Sequence, residues 1–186
     1  MNSSFFSSLK YCVKKLNKNK VIAYPTESIF GLGCNPDSKI AVKKLLFLKK
    51  RNLNKGLILI SGNYDQLKPY ILEKKIKKQK NILLKNKFFI TYLVPAKLNV
   101  PFWLTGNSKY IAIRITKNKF AKNLCLFYKK PIVSTSANLS GEKPCLNREE
   151  IRNIFGKNFP ILNGFLGNKK QPSKIINLLT GDILRE

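Results

Sequence analysis

The residues of this chain that could do chemistry fall into three polar segments, each beside a predicted strand. The first is Tyr24-Pro25-Thr26-Glu27-Ser28-Ile29-Phe30-Gly31-Leu32-Gly33. It leaves a strand through a proline turn, offers a hydroxyl and a carboxylate, and runs into two glycines, where backbone could approach a ligand closely. An ordinary strand-to-helix turn would read the same way. The second sets Lys49, Lys50 and Arg51 ahead of Lys55-Gly56 and an apolar strand. Arg51 could grip a multiply charged anion with its planar fork, with Lys49 and Lys55 as point charges. In so lysine-rich a chain, such a cluster also arises by chance. The third, Ser134-Thr135-Ser136-Ala137-Asn138-Leu139-Ser140-Gly141, packs four hydroxyls and an amide directly after an apolar strand. Small side chains and exposed N–H groups there form a surface suited to phosphate or carboxylate oxygens. A polar turn is the plain alternative, but this segment is the most informative of the three. Open α/β sheets bind ligands at strand ends, which is where all three are expected.

What the chain lacks narrows the chemistry. It contains no histidine, which removes Ser-His-Asp and Cys-His nucleophiles, histidine bases and most zinc or iron sites. Its four cysteines, Cys12, Cys34, Cys125 and Cys145, form no CxxC pair and read as free thiols in a reducing compartment. There is no GxxxxGK[ST], no GxGxxG after a strand and no GxSxG. Nine Asp and Glu are too few for a two-metal carboxylate site, although one Mg²⁺ could arrive with a nucleotide. Hydroxyls, amides, Lys and Arg remain. They can position anionic reactants and stabilise developing charge, with little proton transfer by side chains.

Charge is the outstanding feature of composition: 36 basic against nine acidic residues, a formal +27. Of the basic residues 31 are Lys and five are Arg, whereas a surface selected to grip phosphate would use more Arg. Lys, Asn, Ile and Phe share A/T-rich codons, so compositional drift accounts for most of the excess. The resulting field still draws in polyanions.

The elements that must position the three segments alternate in type. Phe5, Leu9, Cys12, Val13 and Leu16 recur at helical spacing, and Val21–Tyr24 is a short strand. Asp37 or Ser38 can cap a helix whose apolar face is Ile40, Ala41, Val42, Leu45, Leu46 and Leu48. Strands are predicted at Leu57–Ile60, Phe88–Val94, Tyr110–Ile115 and Ile132–Ser134, with shorter ones at Phe159–Leu162 and Ile175–Leu179. Helices are predicted near Tyr64–Tyr70, over Glu73–Leu84, near Lys119–Tyr128 and from Asn147, with Glu149 and Glu150 in its first turn. The lysine-rich stretch Lys74–Lys80 reads as a solvated helix face. Hydrophobic residues at 44% of 186 predict one α/β domain over 1–186 with a mixed sheet and no separating linker. MNSSFFSSLK lacks the pattern of a signal peptide and no apolar run could cross a bilayer, so the expectation is a soluble, cytoplasmic protein that uses no membrane.

At the three segments the sequence resembles the YrdC-type threonylcarbamoyl-AMP synthases, in their short single-domain bacterial form. Tyr24-Pro25-Thr26-Glu27 with Gly31-Leu32-Gly33, Lys49-x-Arg51 with Lys55-Gly56, and Ser134 to Gly141 stand in family order and spacing. Trp103-Leu104-Thr105-Gly106, Ala112-Ile113-Arg114-Ile115-Thr116 and Pro172-Ser173 add to the likeness, which covers nearly the whole chain. The resemblance implies a twisted mixed sheet flanked by helices, with a basic concave face. It implies an enzyme, a nucleotidyltransferase, that joins L-threonine, bicarbonate or CO₂ and ATP into threonylcarbamoyl-AMP with release of pyrophosphate. Partner proteins would then transfer the threonylcarbamoyl group to an adenosine beside the anticodon of tRNA. Carried over by position, Lys49 and Arg51 would be catalytic. Arg51, Lys55, Thr91, Asn138 and Arg185 would face ATP, and Thr26, Ser136, Arg114 and Ser173 would face threonine. Mg²⁺ would come with the nucleotide.

Three positions depart from the family pattern. Asn86-Lys87-Phe88-Phe89 replaces the usual Trp-Pro-Gly-Pro turn, and Asn52 replaces a proline. Asn163-Gly164-Phe165-Leu166-Gly167-Asn168 keeps two glycines in altered places. Lost prolines beside retained polar residues imply a less stable protein that still works. A non-catalytic module binding tRNA or double-stranded RNA is the competing reading, because +27 would hold RNA non-specifically. Carbamoyl-phosphate-using relatives share this module but are much longer than 186 residues.

Overall fold

The computed structural model describes residues 3–51, 56–85 and 89–185. Eight strands form one mixed sheet, taken in chain order as β1 (Ile22–Pro25), β2 (Phe30–Gly33), β3 (Ile58–Ser61), β4 (Ile90–Pro95), β5 (Tyr110–Ile115), β6 (Ile132–Ser136), β7 (Lys174–Asn177) and β8 (Ile183–Arg185). Across the sheet they lie in the order β1-β2-β6-β3-β5-β4-β7-β8. The β3–β5 and β4–β7 pairs are parallel and the rest antiparallel. The helices are α1 (Ser3–Asn17), α2 (Lys39–Lys49), α3 (Lys80–Lys85), α4 (Phe102–Thr105), α5 (Lys119–Tyr128) and α6 (Arg148–Phe155).

Apolar side chains sort to two faces of this sheet. In α1, Phe5, Leu9, Cys12 and Leu16 recur at helical spacing and are buried. With Leu124, Cys125 and Tyr128 of α5 they pack on Ile22 and Tyr24 of β1, Ile60 of β3 and Ile132 of β6. The opposite face carries Ala23, Leu32, Leu59, Ile111, Ile113 and Val133, covered by Ala41, Val42, Leu45 and Leu46 of α2. The termini of these helices follow their sequences. Ser38 Oγ accepts from the N–H of Ala41 at 3.2 Å, and Asn147 Oδ1 accepts from that of Glu150 at 2.9 Å. Glu149 and Glu150 in the first turn of α6 complement its dipole.

Several expectations need correcting. Ile40 is 60% exposed, because it lies on the far side of α2 from Val42, Leu45 and Leu46. Lys49 falls in phase with that buried face instead and is itself buried. The stretch 64–70 holds only a 3-10 turn at Asp65–Leu67, and 73–84 divides into a 3-10 turn, Glu73–Ile76, followed by α3. Lys74, Lys75, Lys77 and Lys78 are exposed, as their solvated reading requires. Residues 159–162 form no strand beyond a single bridge from Ile161 to Ala23. Two strands were not foreseen. Glycines mask β2, and β8 is too short and exposed to show periodicity.

Candidate functional site

A cavity of about 740 Å³ lies on the face of the sheet that α1 and α5 only partly cover. Strand register shows how this arises. Ile60 pairs with Ile132 in the α1–α5 core, whereas Ile58 pairs with Ser134 and Ala112 two residues along, and those three line the cavity. On β5, Ile111 and Ile113 point into the α2 core while Tyr110, Ala112 and Arg114 line the opposite, open side. The site therefore spans a sheet face rather than sitting only at strand ends. Tyr24 marks the boundary between core and cavity, its hydroxyl donating to Ser134 Oγ at 2.6 Å.

The cations of this cavity are arginines. Arg51, Arg114 and Arg185 line it, and among the described residues no lysine and no carboxylate does. They gather at two poles. At one, Arg114 Nη1 donates to Ser173 Oγ at 3.1 Å, and Arg185 donates through Nη2 to the Ser173 carbonyl at 2.7 Å. Thr91 Oγ1 lies 2.8 Å from Ser173 Oγ, so it stands behind the serine rather than in the cavity wall. The ring of Phe89 stacks on Arg114, 4.9 Å from the guanidinium carbon. Burial, and then the neighbouring Arg114, lower the pKa of Arg185. Two like charges sharing one serine favour an anion between them.

At the other pole the chain leaves α2 through Lys50 in the left-handed conformation, φ 49°. Arg51 then reaches Thr135 Oγ1 at 3.4 Å and the Gly56 carbonyl at 3.1 Å. Lys49 does not line the cavity. Its ammonium donates to the Ser136 carbonyl at 2.8 Å, to Ser136 Oγ at 3.3 Å and to Asn138 Oδ1. Those three acceptors match its three protons. Ser136 Oγ donates in turn to Asn138 Oδ1 at 2.7 Å. Lys49 and Asn138 thus brace Ser136, the residue of this group that meets the cavity. Burial, followed by the nearby Arg51 charge, pulls the Lys49 ammonium down to about 8.

Thr26 completes the wall beyond the end of β1, its hydroxyl donating to the Ile29 carbonyl at 2.7 Å. Of the residues expected at the site, Thr26, Arg51, Arg114, Ser136, Ser173 and Arg185 meet in this one space. Lys49, Thr91 and Asn138 stand directly behind it. Lys55 lies outside the described residues, as do Asn52 and Asn86–Phe88 of the departures noted above. Gly31 borders the cavity, but Gly33 serves packing: a Cβ there would lie 2.8 Å from Tyr24 Cε1 and 2.9 Å from the Val133 carbonyl. Sequence reasoning missed Phe89 as the partner of Arg114 and missed Asn118, whose only local signal is its place before α5. The cysteines are all buried, and burial raises Cys12 and Cys125 to about 12, so these thiols stay protonated.

Fold and site together define an α/β protein with a half-covered sheet face and an arginine-lined cavity. The chain belongs to the Sua5/YciO/YrdC family, described as "telomere recombination", whose model matches residues 14–186. It is 50% identical to the threonylcarbamoyl-AMP synthase of Buchnera aphidicola subsp. Schizaphis graminum, covering 97% of this chain and 96% of that one. Identity to the Photorhabdus laumondii protein of the same name is 49%, over 92% of each. Among solved structures, Escherichia coli YciO superposes with a TM-score of 0.77 at 27% identity, over 96% of this chain and 88% of that one. The Sua5 of P. abyssi, solved in complex with L-threonine, gives 0.80 at 24% identity. That match covers 91% of this chain but 50% of the longer Sua5 chain, a likeness of fold.

Proposed function

We propose that this protein is a threonylcarbamoyl-AMP synthase, a nucleotidyltransferase that joins L-threonine, bicarbonate or CO₂ and ATP with release of pyrophosphate. The observation that carries the reading is the cavity itself: three arginines and Thr26 line it with no lining carboxylate among the described residues, and Arg114 is paired from behind, with Glu27 at 3.9 Å. Near-full-length relatives at about half identity carry that name.

The reaction explains why such a cavity is needed. The threonine amine adds to CO₂ and loses a proton, giving a carbamate. A carbamate oxygen then attacks the α-phosphorus of ATP, forming the mixed anhydride while the bond to pyrophosphate breaks. Attacker and triphosphate are both anions, so their mutual repulsion is the obstacle to be overcome. In this reading Arg114 and Ser173 hold the threonine carboxylate, with Thr26 beside the amino acid. Ser136, braced by Lys49 and Asn138, also faces threonine. Arg51, held by Thr135 and Gly56, meets the phosphates together with Lys55, and Arg185, Thr91 and Asn138 belong to the nucleotide side. Fixed cations in a partly water-excluded cavity stabilise charge more than the same groups in bulk water. Among the described residues no group of carboxylates, cysteines or histidines could hold a metal ion. A Mg²⁺ arriving with the nucleotide would help neutralise the triphosphate, beside Arg51 and Lys55.

A protein that only bound RNA would have no use for arginines turned inward over a sheet face, and that reading is not favoured. The exposed lysines can still attract tRNA, the eventual acceptor, after other proteins take up the product. No helix among the described residues is long and apolar enough to cross a membrane; the cytoplasmic location belongs to the proposed role in tRNA modification. The test is pyrophosphate release with ATP, L-threonine and bicarbonate, each omitted in turn. Release is expected only with all three present, and release indifferent to threonine would remove the assignment.

A further inference from the structure

The turn that carries Thr26 is held from behind by residues that do not line the large cavity. Asn118 is the hub. Its Oδ1 accepts from the N–H groups of Phe120 and Ala121 at 3.0 and 3.2 Å, capping α5. Its Nδ2 donates to the carbonyls of Thr26 at 2.8 Å and Phe165 at 3.1 Å, tying two separate loops together. The buried Glu27 carboxylate is fixed from the same segment, accepting from Thr116 Oγ1 at 2.7 Å and from the Lys117 N–H at 2.8 Å.

The loop at 165–169 closes the turn from its other side. The Gly167 N–H donates to the Thr26 carbonyl at 2.9 Å and the Lys169 N–H to the Glu27 carbonyl at 3.0 Å. A Cβ on Gly167 would lie 2.6 Å from the Glu27 carbonyl oxygen and 2.9 Å from its Cα. Both are backbone atoms, so the loop or the turn would have to move. The contacts that reach the turn grip the backbone of 26–27 or the Glu27 carboxylate, and the rest cap α5 and hold Phe165. Thr26 itself lines the cavity, its hydroxyl bonded to the Ile29 carbonyl at 2.7 Å.

We infer that Asn118 and Gly167 are positioning residues for the amino-acid half of the site. They place Thr26 without touching substrate, and amino-acid affinity depends on them while nucleotide affinity, set mainly around Arg51, does not. The inference rests on Thr26 being the threonine side of the proposed reaction. A displacement of about 1 Å at a reacting group can cost up to ~10²-fold, which makes an indirect effect of this size measurable.

Asn118→Ser separates the two duties of the side chain, since a serine hydroxyl still caps α5 but carries no amide to join Thr26 to Phe165. Gly167→Ala pushes on the same turn from the opposite side. Steady-state pyrophosphate release is measured with each substrate varied. Both variants are expected to raise KM for L-threonine roughly tenfold, with KM for ATP within about twofold of the parent. Asn118→Ser should melt within a few degrees of it. Unchanged threonine KM in the folded variants, or equal rises for both substrates, overturns the inference. Hydrogen exchange on the parent protein gives a reading that needs no variant: L-threonine should slow exchange of the Gly167 and Lys169 amides, and no slowing counts against it. A parent enzyme that needs no threonine defeats the proposed reaction, whereas an active parent with insensitive variants defeats only this assignment.

Discussion

Arg51, Arg114 and Arg185 are three of only five arginines beside 31 lysines, and they meet in one cavity. Compositional drift explains the abundance of lysine but not that placement. A forked, permanently charged guanidinium holds carboxylate and phosphate oxygens in a way a lysine does not. Replacing Arg51 by Ala is expected to lower kcat/KM by about 10²–10³-fold, and Arg51→Lys should recover only part of it. Steady-state kinetics with ATP varied checks both. Lys49 makes a different prediction. Its folded pKa, near 8, lies below the ordinary 10.5, so between these values the unfolded chain binds more protons than the folded one. Stability should therefore rise with pH across that window. Urea unfolding at pH 7.5 and 9.5 should show the rise in the parent protein and a smaller one in Lys49→Met. By sequence Lys49 stood against an anion, and its burial on the inner face of α2 came from the structure. What it touches was not legible, because Ser136 and Asn138 lie almost ninety residues further along.

At the scale of elements, long amphipathic helices and apolar strands were legible, and short elements of either kind were not. An amphipathic stripe such as Phe5, Leu9, Cys12 and Leu16 repeats often enough to be recognised within one segment. Four-residue strands such as β2, with two glycines, contain no repeat to recognise, and their pairing is decided by remote neighbours. The glycines of β2 exist largely for Tyr24, whose ring lies against both. Gly33→Ala should therefore destabilise the protein by about 1–3 kcal/mol through overpacking. A melting curve measures this, and an unshifted midpoint would show that the β1–β2 hairpin has more room than its contacts indicate.

Over the whole molecule, +27 means that the folded chain repels itself. Screening should relieve this: the melting temperature is expected to rise by several degrees between roughly 20 and 300 mM KCl. Replacing exposed Lys74, Lys75, Lys77 and Lys78 with Gln should shrink that salt response and leave kcat unchanged. A loss of activity in that variant would place function on the lysine-rich surface after all. The reach of sequence ends where strand order begins. Residue types, spacing and periodicity pointed by themselves to an α/β architecture, to a chemistry free of histidine, and to Thr26, Arg51 and Ser136 among the residues that meet in the cavity; Arg114, Ser173 and Arg185 came from the family resemblance. Tertiary structure alone decided that the site lies across a sheet face, that Lys49 serves from behind Ser136, and that Asn118 holds Thr26. Each of those depends on which strands become neighbours and in what register, a choice made by packing the entire core at once.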